Sequence, residues 1–239
     1  MEKFEIIKLD NMEFIKFVDG KVNILFSTAE KNVSYKINTE EGTKNLSRLK
    51  DLFSVNEVKY TNQIHSSIIF ETSDEKDLLK ESGDAIISNK NSEIVGVFTA
   101  DCVPVILYDP DKNIISAIHS GWKGTIGDIS RKTAEIMKNK YGAMNIKGLI
   151  GPHIGSCCYE VSEELAEKFS KKYGQEVRDN RILSLEYAIR KQLEGIIDNE
   201  NIKSLNICTN CNKEYKMHSY RRDSENAGRL FSFAYIKEN

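Results

Sequence analysis

Ile94-Val-Gly-Val-Phe-Thr-Ala-Asp-Cys102-Val-Pro-Val-Ile-Leu-Tyr108-Asp-Pro-Asp-Lys-Asn-Ile114-Ile-Ser-Ala-Ile-His119 packs three short apolar, β-branched runs into one stretch of chain. Ile94–Thr99, Val105–Tyr108 and Ile114–His119 each read as a strand, because run length, β-branching and polar punctuation agree. Working outward, Val22–Thr28, Ser67–Glu71, Ala85–Ser88, Gly148–Ile150, Leu205–Cys208 and Leu230–Tyr235 read the same way. Helical periodicity appears in three places. From about Gly127 to Tyr141, Ile129, Thr133, Ile136, Met137 and Tyr141 share a face, and Gly142 is the stop. A second helix is capped by Ser162, carries Glu163 and Glu164 in its first turn and ends before Gly174. A third follows Ser184 and aligns Leu185, Ala188, Ile189, Leu193, Ile196 and Ile197. Strands crowd the first half and helices the second, without a βαβ rhythm. That order predicts an α+β fold of layered mixed β-sheets flanked by helices. No Pro-, Gly- or Ser-rich linker, repeat or low-complexity tract divides the chain, so residues 1–239 read as a single domain.

The formal net charge is −2, with 29% charged and 40% hydrophobic residues. Lysines alternate with acids, giving no basic stripe for nucleic acid or an anionic membrane. The N-terminus lacks the apolar run of a signal peptide and no stretch reaches membrane-spanning length, so a cytoplasmic protein is expected. Five cysteines in such a chain argue against a disulfide framework. Each is weighed as core thiol, metal ligand or nucleophile.

Three segments interrupt the strands with residues able to do chemistry: Asn62-Gln63-Ile64-His65-Ser66, Thr99-Ala100-Asp101-Cys102-Val103-Pro104 and Ile118-His119-Ser120-Gly121-Trp122-Lys123-Gly124. Each lies at a strand end, where neighbouring strands can bring side chains together. One thiolate and two imidazoles, from Cys102, His65 and His119, suit a borderline-soft ion such as zinc, leaving a fourth position for water or substrate. Asp101 and Asp84 are candidates to orient a ligand imidazole or move a proton. Two other readings stand beside this one. Cys102 and His119 could form a nucleophile–base pair, or all three residues could be structural. Spacing alone does not choose among them.

The strings Gln63-Ile64-His65, Gly83-Asp84-Ala85, Thr99-Ala100-Asp101-Cys102-Val103-Pro104, His119-Ser120-Gly121-Trp122-Lys123-Gly124, Ile150-Gly151-Pro152-His153-Ile154, Cys158-Tyr159-Glu160-Val161, Ser219-Tyr220-Arg221-Arg222-Asp223 and Gly228-Arg229 occur in an order that resembles the polyphenol oxidase, laccase (YfiH/YlmD-like) family. Members of that family are understood as purine nucleoside phosphorylases with adenosine deaminase and methylthioadenosine phosphorylase activities. The resemblance implies a cysteine-hydrolase-like fold and a zinc site made by His65, Cys102 and His119. It further implies a purine nucleoside and phosphate as partners. The chain departs from the family pattern in three places. Its N-terminal Thr-Arg-x-Gly-Gly string is replaced by Thr28-Ala29-Glu30-Lys31, Ser66 stands for a glycine, and Lys123 stands for the commoner arginine.

Arg221 and Arg222 are candidate clamps for an anionic substrate group, weighed against an ion pair with Asp223. Trp122 is a candidate to stack on a purine, with packing the plainer role, and Lys123 is counted with it as substrate-binding. Cys208-Thr-Asn-Cys211 together with Cys157-Cys158 is read as a set of structural thiols, because adjacent cysteines fit poorly around one tetrahedral ion. The expected enzyme is thus a zinc-dependent purine nucleoside phosphorylase and adenosine deaminase, a monomer or small homo-oligomer. A copper-dependent polyphenol oxidase is disfavoured, since four histidines cannot supply several copper sites. A metal-free cysteine hydrolase, or a binding protein on the same fold, remains as the third reading.

Overall fold

The computed structural model describes residues 4–72 and 77–238. In chain order it runs β1 (Glu5–Leu9), β2 (Met12–Asp19), β3 (Val22–Ser27), α1 (Glu40–Phe53), β4 (Glu57–Lys59), β5 (Ile69–Glu71), β6 (Ala85–Ser88), β7 (Glu93–Thr99), β8 (Val103–Asp109) and β9 (Ile114–Ser120). There follow α2 (Trp122–Ile126), α3 (Ile129–Tyr141), β10 (Lys147–Ile150), α4 (Glu163–Tyr173), β11 (Arg178–Asp179), β12 (Ile182–Leu183), α5 (Leu185–Leu193), β13 (Ile202–Ser204), α6 (Tyr220–Asp223) and β14 (Leu230–Ile236). One mixed sheet has the order β1-β2-β3-β14-β7-β4 and a second the order β13-β10-β8-β9-β6-β5, with β11 and β12 forming a small ribbon.

The two sheets face each other across a core that includes Phe17, Phe26 and Val97 from the first and Ile106, Ala117 and Leu149 from the second. The outer face of the first sheet is covered by α1 through Leu46 and Leu49 against Phe231 and Phe233. The outer face of the second carries α3, α4 and α5, with Met137, Phe169 and Ile189 against Val105 and Ile118. The result is a four-layer α/β/β/α stack. Strands β7, β8 and β9 are buried along their whole length, which is why their sequences are continuous apolar runs rather than alternating ones. This bears out the layered mixed-sheet expectation.

Eight of the nine predicted runs are strands within a residue or two, while β1, β2, β4, β11 and β12 fall on no predicted run; one predicted run fails. Leu205–Cys208 is not a strand; the pairing falls instead at Ile202–Ser204, parallel to β10. The chain leaves the ladder at Ser204, whose hydroxyl accepts from Asn206 N, and Asn206 takes a left-handed φ of 54°. Cys208 keeps one isolated bridge to His153. The first half of the chain also holds a fourteen-residue helix, α1. Its apolar stripe is short, and Gly42 stands within it because a Cβ there would lie 2.0 Å from Lys36 O. The α3 helix begins at Ile129, two residues later than read, after Asp128 in the left-handed region. The helix after Ser184 stops at Leu193, short of Ile196 and Ile197, which Gly195 at φ 78° turns away. Among the described residues no helix is long and apolar enough to cross a membrane.

Candidate metal centre and active site

β7 delivers Asp101 and Cys102 in the turn into β8, and β9 carries His119 at its end beside Cys102, since Pro104 pairs with His119 across the β8–β9 ladder. His65 arrives separately, on the loop between β4 and β5, with a left-handed φ of 58°. What holds that unfavourable backbone is Asp84, completely buried just before β6. Its carboxylate accepts from His65 N (3.0 Å), from Ser66 N and Ser66 Oγ (both 2.6 Å) and, at longer range, from Ile64 N (3.4 Å). The same carboxylate meets His119 Nδ1 at 2.8 Å. One buried acid thus fixes the loop bearing one imidazole and the ring of the other. With Nδ1 of His119 on Asp84, its Nε2 is the nitrogen left to face Cys102.

The ligating atoms of His65, Cys102 and His119 all lie within 4.8 Å of one another. The two imidazoles meet edge to face, centroids 4.8 Å apart and planes at 78°, so they converge without stacking. Gly121 gives them room: a Cβ there would sit 2.9 Å from Cys102 Sγ and 3.1 Å from His65 Cδ2. Burial alone would raise the Cys102 thiol, but the His119 and His65 imidazoles beside it bring it well below its ordinary value. Burial alone would lower His119; the Cys102 sulfur and Asp84 outweigh it and raise its affinity for a proton. A thiol held below its ordinary pKa and two imidazoles, one of them oriented by a carboxylate, form a donor set that fits a soft or borderline divalent ion.

The cluster forms one side of a cavity of about 490 Å³. Apolar wall comes from Ile37, Phe98, Ile154 and Tyr159, and cationic wall from Lys36, Arg221 and Arg229. Phe98 is pinned by Gln63, whose amide donates to Phe98 O and accepts from Phe98 N. Asp101, at φ 93°, lines the cavity but both oxygens are engaged, by Thr209 Oγ1 and by Arg221 N, each at 2.6 Å. Arg221 reaches the carbonyls of Cys158 and Glu160 and lies over the Tyr159 ring at 5.6 Å.

The remaining sequence candidates sit elsewhere. Arg222 is outside this cavity, paired with Asp223 and donating to the carbonyls of Thr209 and Met217. Trp122 is half-buried against the helical core, and exposed Lys123 lies 5.6 Å from its ring. Neither contributes to the cavity wall among the described residues. Lys36, Tyr159, Tyr220 and Arg229 do contribute, and residue type alone did not single them out. Tyr159, Tyr220 and Arg229 lie inside the family strings; nothing local marks Lys36. Lys36 and Arg229 come together because Tyr35 N donates to Arg229 O and Arg229 N to Ser34 Oγ. Ala29, where the family's arginine is missing, is buried and held by Lys216 O.

A double-sheet sandwich with one sulfur and two imidazoles converging on a half-apolar, half-cationic cavity defines a class of site able to hold a metal ion beside a small molecule. The chain belongs to the multi-copper polyphenol oxidoreductase laccase family, whose model matches residues 24–237. It is 50% identical over 233 residues to a protein of Clostridium acetobutylicum named purine nucleoside phosphorylase, covering 95% of this chain and 98% of that one. It is 30% identical over 174 residues to a protein named adenosine deaminase RL5 from an unknown prokaryotic organism, covering 69% and 66% of the two chains. The crystal structure of YlmD from Geobacillus stearothermophilus superposes with a TM-score of 0.86 at 21% identity, covering all of both chains, and so shares the fold.

Proposed function

We propose that this chain is a zinc-dependent purine nucleoside phosphorylase, cleaving adenosine, inosine and methylthioadenosine with phosphate, and that the same cavity deaminates adenosine. The observation that carries the reading is the juxtaposition, in one cavity, of the His65–Cys102–His119 donors with an apolar wall suited to a purine and cations suited to an oxyanion. The relatives named purine nucleoside phosphorylase and adenosine deaminase support the purine nucleoside part of this reading.

When bound, the metal supplies Lewis acidity toward a substrate or water atom at the three-donor site. The chain's own residues do the rest. Lys36, Arg221 and Arg229 hold phosphate by charge-assisted hydrogen bonds, so that one of its oxygens forms the bond to the ribose anomeric carbon. The glycosidic C–N bond breaks, its electron pair leaves with the purine, and the base takes up the proton that hydrogen phosphate gives up as it bonds to the ribose. Phe98 and Tyr159 hold the flat ring and exclude water. Asp101 acts through others, fixing the Thr209 turn and the start of α6, while Asp84 positions both imidazoles. Release of base and ribose 1-phosphate, measured with and without phosphate, tests the reading. Cys102→Ala is expected to abolish phosphate-dependent release with the fold retained; unchanged turnover in that variant would sink it.

The Asp84–His119–Cys102 line also resembles the orienting acid, base and nucleophile of a cysteine hydrolase. Such a triad has no use for a third donor, whereas here a strained backbone is held to aim His65 at the same sulfur. Copper oxidase chemistry would need further histidine-rich sites. Of the other two histidines, His153 is engaged by Gly151 O and His218 by Val33 O, both away from the cluster. Elemental analysis of untagged protein separates the three readings: zinc that is lost in His65→Ala supports the proposal, copper or no metal opposes it.

A further inference from the structure

Cys157, Cys158, Cys208 and Cys211 lie far from one another in sequence as two pairs, yet their four sulfurs all lie within 4.8 Å of one another. Cys157 Sγ and Cys211 Sγ are 3.5 Å apart. A tetrahedral zinc with sulfurs at about 2.3 Å needs sulfur–sulfur separations of about 3.8 Å, so the cluster is already close to the required size. The group contains thiols only, with no carboxylate or imidazole.

The backbone is arranged around the sulfurs. Cys157 and Cys158 sit in a turn closed by Cys158 N and Tyr159 N, both donating to Gly155 O. That turn brings both adjacent sulfurs to the opposing pair, with Cys157 and Cys211 at the exposed rim, so neighbouring cysteines can share one tetrahedron here. Gly155 leaves the space open: a Cβ there would lie 3.3 Å from Cys157 Sγ and 3.6 Å from the Cβ of Cys208. The facing Cys208–Cys211 turn is closed by Asn212 N on Cys208 O. Backbone N–H groups of Gly155, Asn210 and Cys211 converge on Cys208 Sγ, the pattern that stabilises a ligating thiolate. The two segments run side by side through the His153–Cys208 bridge, with His153 N on Ile207 O and Thr209 N on His153 O.

We infer that these four cysteines bind a zinc ion in a closed, four-thiolate structural site separate from the three-donor centre. The ion would lock the turn that supplies Tyr159 and the Arg221 carbonyl acceptors to the turn whose Thr209 anchors Asp101. It stiffens one wall of the active-site cavity without touching substrate.

The test uses untagged protein purified under reducing conditions, with zinc measured per chain. Cys102→Ala, which removes one donor of the three-donor centre, is expected to keep about one equivalent. Cys208→Ser/Cys211→Ser is expected to lose one equivalent relative to wild type. Zinc-free Cys102→Ala loaded with cobalt should give the intense sulfur-to-cobalt charge-transfer and ligand-field bands of a four-thiolate tetrahedron. This spectrum decides the matter even if the double serine variant fails to fold. Cys102→Ala free of metal, with four thiols open to a thiol reagent or paired as disulfides, would overturn the inference. So would a cobalt spectrum with fewer than four thiolates. An active-site centre that bound no zinc would leave wild type and Cys102→Ala with the same single equivalent, so the two assignments fail separately.

Discussion

Asp84 accepts from three backbone N–H groups, a hydroxyl and an imidazole while completely buried, so replacing it tests the support of the whole three-donor centre. Burial works to raise its pKa, but the His119 and Ser66 contacts outweigh that and hold it below the ordinary carboxylate range. A depressed folded value means that its contribution to stability is in place above about pH 4, the unfolded value, and is lost as pH falls through the lower folded value. Asp84→Asn should therefore cost about 2–4 kcal/mol at neutral pH in urea unfolding, and the variant's stability should fall less steeply in acid than the wild type's. It should also weaken zinc about 10- to 100-fold in a chelator competition, as loss of a ligand's orienting partner does. Equal acid dependence in both proteins would deny Asp84 this role. Gly121→Ala tests the same centre from the other side. Its methyl group would press on Cys102 Sγ and the His65 ring, so zinc affinity should fall by at least about tenfold with little change in Tm.

Caps and apolar runs decided how much of the architecture could be read beforehand. Ser162 caps α4 by accepting from Leu165 N, and Ser184 caps α5 by accepting from Tyr187 N, both as the sequence suggested. Ser162→Ala should lower stability by about 1 kcal/mol, read as a shift of the urea midpoint with unchanged slope. A null effect would mean that the α4 N-terminus is satisfied by solvent. Helix α1 leaves no clear signal in the sequence although Thr39 caps it through Gly42 N. Few of its positions are buried, and Gly42 and buried Asn45 break the apolar face. The β1–β2 hairpin was missed because β1 is a sheet edge with mostly exposed or half-exposed side chains, which leaves no clear alternation. Strands buried on both faces were the legible ones. The error at Leu205–Cys208 had the same origin: an apolar string was read as paired, whereas Asn206 and the Ser204 hydroxyl turn the chain out of the ladder.

Across the whole molecule, the three candidate donors stand out in the sequence, Cys102 and His119 at the ends of apolar strands and His65 in a loop string, but the cavity wall does not. Lys36, Arg221 and Arg229 meet only because the segment after β3, α6 and the lead into β14 close over the same rim. The join is made by Tyr35 N donating to Arg229 O and by Arg229 N donating to the Ser34 hydroxyl, bonds that no residue pattern announces. Trp122 and Lys123 illustrate the converse: they adjoin His119 in sequence yet lie on the helical side of the second sheet. If the three cations hold phosphate in place of the family's N-terminal arginine, removing one should act on phosphate more than on the nucleoside. Lys36 suits the test because, among the described residues, its ammonium makes one exposed hydrogen bond, to Glu225 O, so Lys36→Met leaves no buried partner behind. Loss of one charge-assisted contact should raise the KM for phosphate about 10- to 100-fold, with the KM for inosine changed about twofold or less. A larger shift for inosine than for phosphate would put Lys36 on the ribose or base, and would leave Arg221 and Arg229 to hold the anion alone.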